Sequence, residues 1–237
     1  MSPKRSGRQS AQVAQQTRDS ILCAATALFV EKGFSVVSLR EIAEHAGVSH
    51  GLLRYHFGNK LAIWERICER AILDVLNEME LILHHLDPNL SPNYRFFWLI
   101  SSLFASQLSD PRMMRLMVDG IRADEQAVEL FNQLPNPVQE LLQIELEKVQ
   151  QMGLLKEIKS AEIRWLICIF TDAPATLEPL MQDIYGADLE QARLQHWRLC
   201  ARMLAAMLNI ESDSIANVDC FADVLGPRSI RSRAARS

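Results

Sequence analysis

The chain has 237 residues, 49% hydrophobic and 23% charged, which is apolar material enough for one large domain or for a small domain and a larger one. No run reaches the roughly 18 apolar residues of a membrane span, and the polar stretch Met1–Gln16 lacks the apolar core of a secretory signal, so neither a membrane partner nor export is expected. The formal net charge of −4 is unevenly placed: residues 1–70 hold ten Lys/Arg against six Asp/Glu, residues 71–225 hold eleven against twenty-three, and residues 226–237 hold four Arg and no acid. A basic head on an acidic body is the footprint expected when only the head meets a polyanion.

Apolar residues recur every three or four positions almost throughout, so the expected fold class is all-α, with about nine or ten helices. Lys4, Arg5 and Arg8 sit in a polar stretch that reads as a mobile basic arm. A first helix is predicted from about Thr17 to Lys32, with Ile21, Ala24, Ala25, Leu28 and Phe29 on its apolar stripe and Gly33 ending it. Ser38-Leu39-Arg40-Glu41 has the pattern of a capping box and opens a second helix that Gly47 breaks. Ser49 caps a third, short helix ending near Phe57, and a long helix follows from Lys60 to about Leu86. Further helices are predicted near 93–108, 111–122, 124–134, 136–152, 161–182 and 188–209, with Pro174 kinking or splitting the 161–182 segment. The last residues, with Arg228, Arg231, Arg233 and Arg236, read as a disordered basic tail.

Two short helices on either side of a glycine turn, Ser38–Ala46 and Ser49–Phe57, outline a helix-turn-helix. In such a unit the first helix braces across the sugar-phosphate backbone and the second enters the major groove. Ala43, Val48 and Leu53 have the spacing to pack the two helices together, which leaves His50, Gly51, Leu52 and Arg54 outward. Arg54 has the donor fork for guanine, Leu52 the apolar surface for a thymine methyl, and Gly51 no side chain to hold the backbone away from base edges.

The run Ile21-x-x-Ala24-Ala25-x-x-Leu28-Phe29-x-x-x-Gly33-Phe34, followed by Ser38-x-x-x-Ile42-Ala43-x-x-Ala46-Gly47-Val48-Ser49-x-Gly51-x-Leu53-x-Tyr55-His56-Phe57-x-x-Lys60, resembles the N-terminal domain of the TetR family. The resemblance implies a three-helix DNA-binding head, a larger helical ligand-binding and dimerisation domain, and a homodimer that acts as a repressor released from DNA by a small, largely apolar effector. It makes Arg40 a base or phosphate contact, His50, Gly51, Leu52 and Arg54 the base-reading surface, and Tyr55, His56 and Lys60 phosphate contacts. Ser38 and Ser49 cap their helices and donate to phosphate as well. Many members carry Tyr where this chain has Arg54, so that position is where a guanine contact or an extra phosphate contact is expected instead. Packing in the head's own core remains the alternative for Tyr55 and Phe57, and simple solvation for Arg40 and His56.

The implied organisation is an arm at 1–14, a DNA-binding domain at 15–75 with the helix-turn-helix at 38–57, an effector-binding and dimerisation domain at 76–212, and a mostly disordered tail at 213–237. An apolar effector pocket is expected to draw on Trp98, Met113, Met117, Phe131 and Trp165, with polar contacts from Arg112, Arg115, Asp119 or Asp172. The homodimer is expected to form through the segments near 161–182 and 188–209, placing two heads on a near-palindromic site in double-stranded DNA. The five cysteines (Cys23, Cys68, Cys168, Cys200, Cys220) include no Cys-x-x-Cys pair and read as reduced thiols of a cytoplasmic protein. His84, His85 and Asp87 are the one cluster that tempts a metal reading, but they lack the spacing of helical metal sites. No nucleophile, P-loop or dinucleotide motif supports an enzyme, and no catalytic residue, metal or cofactor is expected.

Overall fold

A computed structural model describes residues 5–186, 188–211 and 218–225, with side chains from residue 11 onward. All regular structure among these residues is helical: α1 (Arg5–Lys32), α2 (Leu39–His45), α3 (His50–Phe57), α4 (Lys60–His85), α5 (Pro92–Ser109), α6 (Arg112–Ala123), α7 (Glu125–Gln133), α8 (Pro137–Gln151), α9 (Ser160–Thr176), α10 (Glu178–Tyr185), α11 (Leu189–Met207) and α12 (Ala222–Leu225). No described helix is long and apolar enough to cross a membrane. The chain forms two compact units.

The first unit comprises the residues up to Ala71 together with Leu116–Pro135, so the expected boundary near residue 75 is incomplete. The reason is packing. Trp64 of α4 is fully buried, its indole N–H faces the Leu116 carbonyl at 3.4 Å, and its ring lies near Phe34 and Phe131. Ile21, Ala25, Leu28 and Phe29 of α1 are buried as their spacing predicts, beside Ile42, Leu53 and Ile63. Helix α1 starts twelve residues earlier than expected. The stretch from Arg8 to Gln16 holds no Gly or Pro and is rich in Ala and Gln, and the Thr17 hydroxyl bonds back to the Val13 carbonyl at 3.0 Å, a mid-helix arrangement, instead of capping a start. The expected mobile arm is therefore helical from Arg5; residues 1–4 lie outside the described residues.

The second unit comprises Ile72–Arg115 and the chain from Asn136 on, and is built around α5. That helix is buried on most of its circumference, as a central helix must be when others cover it on several sides. Helices α8, α9, α11 and α12 pack on it. The Trp197 indole donates to the Ser101 carbonyl at 2.8 Å, and Asn93 donates to the Leu208 carbonyl at 3.1 Å, so these two buried donors have partners, whereas the buried Ser102 hydroxyl of α5 has none among the described residues. Val218, Phe221 and Val224 are buried in the same core. The stretch 218–225 is thus packed rather than disordered, because its apolar residues have a surface to cover; residues 212–217 and 226–237 of the expected tail lie outside the described residues.

The 161–182 segment splits as the proline predicts, at Leu177 between α9 and α10. Two prolines share the work. Pro174 cannot donate to the Phe170 carbonyl, which accepts instead from Nε2 of His196 at 2.8 Å. Pro179 cannot donate to the Ala175 carbonyl, which accepts instead from the Arg115 guanidinium. Side chains from other helices thus satisfy the two acceptors that the prolines free. Burial lowers the His196 pKa, with the Phe170 carbonyl opposing that shift.

Candidate nucleic-acid interface

The geometry around α2 and α3 follows from local chemistry. The Ser38 hydroxyl accepts from the Glu41 amide at 3.2 Å and the Ser49 hydroxyl from the Leu52 amide at 3.1 Å, so each serine caps its helix and retains its own O–H to donate. Glu41 forms an ion pair with Lys32 at 2.6 Å; the Lys32 hydrogen bond, with help from the Ser38 amide, holds its carboxyl below the usual carboxylate range. Helix α2 ends in a Schellman motif. Val48 N–H donates to Ala43 C=O at 3.0 Å and Gly47 N–H to Glu44 C=O at 3.2 Å, with Gly47 at φ +66°. That left-handed residue sets the angle between α2 and α3.

Leu53 is the fully buried anchor of α3, with Ala43 buried against the same core and Val48 half-buried. Around it, His50, Gly51, Leu52, Arg54 and Tyr55 all face solvent. Tyr55 is 83% exposed, which removes the core alternative for it, and Phe57 is only half-buried. His56 is half-buried beside the Tyr55 ring, and its Nδ1 is enclosed without a hydrogen-bond partner among the described residues. Space around the Gly51 Cα is open: a Cβ built there meets no atom within 4 Å.

The cations of this region differ in how far they are committed. Arg40 pairs with Glu44 at 3.0 Å, one turn along the exposed face of α2. Lys60, expected to meet phosphate, is spent on the protein. Its ammonium donates to the carbonyls of Phe34 (2.7 Å), Ser35 (3.2 Å) and Val37 (3.0 Å) and lies 4.4 Å from the centroid of the Phe34 ring. Burial lowers its pKa. A lysine has three donors, and all three are used to hold the loop that leads into α2. Arg54 has neither an ion pair nor a hydrogen bond among the described residues, and it lies on the same outer face as His50, one turn away.

The residues expected to line an effector pocket are divided between the two units. Trp98 is 2% exposed inside the core of the second unit, next to Phe97. Met117 and Phe131 belong to the first unit, Met113 to the second, and Trp165 is 65% exposed on α9. Large side chains at helical spacing serve as core or as exposed face here, and periodicity alone does not separate those from a cavity lining. Two of the expected polar residues are engaged: Arg112 pairs with Asp110 at 2.5 Å, and Arg115 lies 3.6 Å from Glu178 besides serving Ala175. A surface pocket of about 250 Å³ does open in the first unit, lined by residues including Lys32, Val36, Asp119 and Arg122. No group of three or more His, Cys, Asp or Glu among the described residues is placed to hold a metal, and the His85 ring is engaged with the Leu81 carbonyl at 2.7 Å.

Along the segment near 188–209, expected to take part in the dimer contact, Ala192, Trp197, Cys200, Ala201, Leu204, Ala205 and Leu208 are buried within their own unit and Leu189 is half-buried. A second stripe, Leu199, Met203 and Met207, faces solvent at four-residue spacing. Trp165 and Ile169 of α9 and Leu180 and Ile184 of α10 are exposed as well, on helices that pack on each other in sequence.

Residues 21–67 match the family model described as "Bacterial regulatory proteins, tetR family". Over 58 residues the chain is 45% identical to the HTH-type transcriptional repressor BepR of Brucella suis, covering 24% of this chain and 28% of BepR. Over 74 residues it is 40% identical to the HTH-type transcriptional regulator AcrR of Shigella flexneri, covering 31% of this chain and 34% of AcrR. The match to these curated relatives thus spans about a third of their length or less. In fold, the chain is similar to the transcriptional regulator FadR from Bacillus subtilis in complex with stearoyl-CoA, with TM-score 0.59 and 16% identity, over 80% of this chain and 96% of that one.

Proposed function

Because the chain belongs to the TetR family of bacterial regulatory proteins through its residues 21–67, we propose that it binds a near-palindromic site in double-stranded DNA as a homodimer and regulates transcription there. The observation that carries this reading is the outer face of α3. A short helix, anchored by one buried leucine, presents His50, Gly51, Leu52, Arg54 and Tyr55 to solvent on a rigid support.

In this reading α3 lies in the major groove. Arg54 donates its fork to guanine O6 and N7, Leu52 covers a thymine methyl, and Gly51 lets the backbone approach. His50 faces the base edges beside them, and Ser38, Arg40, Ser49, Tyr55 and His56 flank the groove and supply phosphate contacts that set register. Lys60 acts as a buttress, holding the loop before α2 in place. The exposed apolar faces of α9, α10 and α11 are the dimer surface, two copies of which bury each other so that two heads read successive grooves about 34 Å apart. The regulator is a repressor, and a small, largely apolar effector releases it by shifting the population away from the DNA-competent state. Support for that chemistry comes from the fold likeness to a regulator in complex with stearoyl-CoA.

Selection of bound fragments from a random DNA pool tests the reading directly. A palindromic consensus is expected, and enrichment of no sequence would refute it. With a consensus in hand, Arg54→Ala is expected to relax preference at one base pair; a uniform loss across sequences with a shallower salt dependence would make Arg54 a phosphate contact instead.

A further inference from the structure

The first unit contains a lock that neither the family match nor the helix-turn-helix explains. Trp64 is fully buried, and a Cβ built on Gly120 would fall inside its indole ring, against Nε1 and Cε2 and 2.8 Å from Cδ1. Glycine at 120 is therefore a requirement of shape: the ring occupies the space a side chain would need, and a buried indole has no free end to swing aside. The contact continues toward the reading surface. Trp64 packs edge-on against Phe34 at 6.3 Å between ring centroids, and Phe34 lies beneath the Lys60 ammonium that holds the Phe34, Ser35 and Val37 carbonyls. The next residue is Ser38, the N-cap of α2.

We propose that Trp64 is a positioning residue for DNA reading, and that α6 sets the pose of α2 and α3 through the seat of Trp64 on Gly120. Residues 116–135 are then a working part of the DNA-binding unit, although the family match ends at residue 67. A displaced ring moves Phe34 and the loop, and with them the start of α2. Base contacts fail when donors shift by a fraction of an ångström, whereas attraction to phosphate tolerates such a shift.

This inference rests on the DNA-binding reading, and its test separates the two. Affinity for the selected site and for unrelated DNA is measured at one salt concentration for the wild type, Gly120→Ala, Trp64→Phe and the pair Trp64→Leu/Gly120→Ala. For Gly120→Ala the ratio of specific to unrelated affinity is expected to fall about tenfold or more, and for the pair, where the smaller side chain leaves room for the methyl, to return to within about threefold of wild type. Equal loss on both DNAs would mark a merely structural role and overturn the proposal. Should Gly120→Ala fail to fold, Trp64→Phe carries the same question, and an unchanged ratio in that variant overturns it. Amide exchange in the DNA-free protein is the second readout. Faster exchange at α2 and α3 amides in Trp64→Phe, with α1 unchanged, is expected; uniform or unaltered exchange overturns the proposal even if the wild type selects no DNA, an outcome that would sink the DNA-binding reading on its own.

Discussion

Two helices of the first unit, α3 and α6, each carry a glycine, in opposite surroundings. Gly51 of α3 has open space where a Cβ would go, and Gly120 of α6 has an indole there. A glycine inside a helix costs stability relative to alanine, so each needs a reason. For Gly120 the reason is in the fold. For Gly51 no described neighbour demands it, and in the proposed function the reason is the approach of bases to the α3 backbone. A glycine that the fold does not need is thus a sharper pointer to a binding surface than one that it does.

Substitutions sharpen that contrast. Gly120→Ala overpacks a dense core and is expected to lower unfolding free energy by about 3 kcal/mol, read by urea denaturation. A loss below about 1 kcal/mol would mean that Trp64 finds another seat. Next in size, Arg54→Ala is expected to weaken binding to the selected site by about 2 kcal/mol while leaving the urea midpoint unchanged, since no described contact within the protein is lost. Gly51→Ala should separate the two properties outright. The variant is expected to be more stable by about 0.5–1 kcal/mol and to bind its site less tightly, because the methyl stands where bases approach. A variant that gained stability and kept affinity would show that α3 does not meet DNA closely at this position. The smallest effect belongs to Glu44→Ala. The exposed Arg40–Glu44 pair contributes only about 0.3–0.5 kcal/mol, and freeing Arg40 from its acid is expected to raise affinity for DNA slightly rather than lower it. Thiol labelling sorts the cysteines on the same principle of exposure: exposed Cys23 is expected to react first in the native protein, and buried Cys200, its thiol pushed up to about 12 by desolvation, only on unfolding.

The parts of the site that were legible in the sequence are those built from neighbours in the chain. Ser38 and Ser49 cap the amides three residues on, Gly47 closes α2 within five residues, and Pro174 and Pro179 flank the break at Leu177. Such interactions need no knowledge of the fold, so residue type and spacing suffice. The start of α1 was misread because its first turns follow helix propensity without an apolar stripe, and periodicity is silent there. Pocket residues are not legible by pattern, because the same run of aromatics and methionines serves the core at Trp98 and the solvent-facing surface at Trp165.

By itself the sequence determined an all-helical chain, the boundaries of the helix-turn-helix, and which α3 residues lie opposite the buried Leu53, since caps, turns and periodicity are local. Only the tertiary structure decided that Lys60 serves three loop carbonyls, that Arg115 and His196 serve the carbonyls freed by prolines, and that Trp64 sits on Gly120. Each of those pairs joins residues at least 23 positions apart, and the Trp64–Leu116 bond spans 52. At such separations the chain pattern carries no distance, and the choice of partner is made by packing.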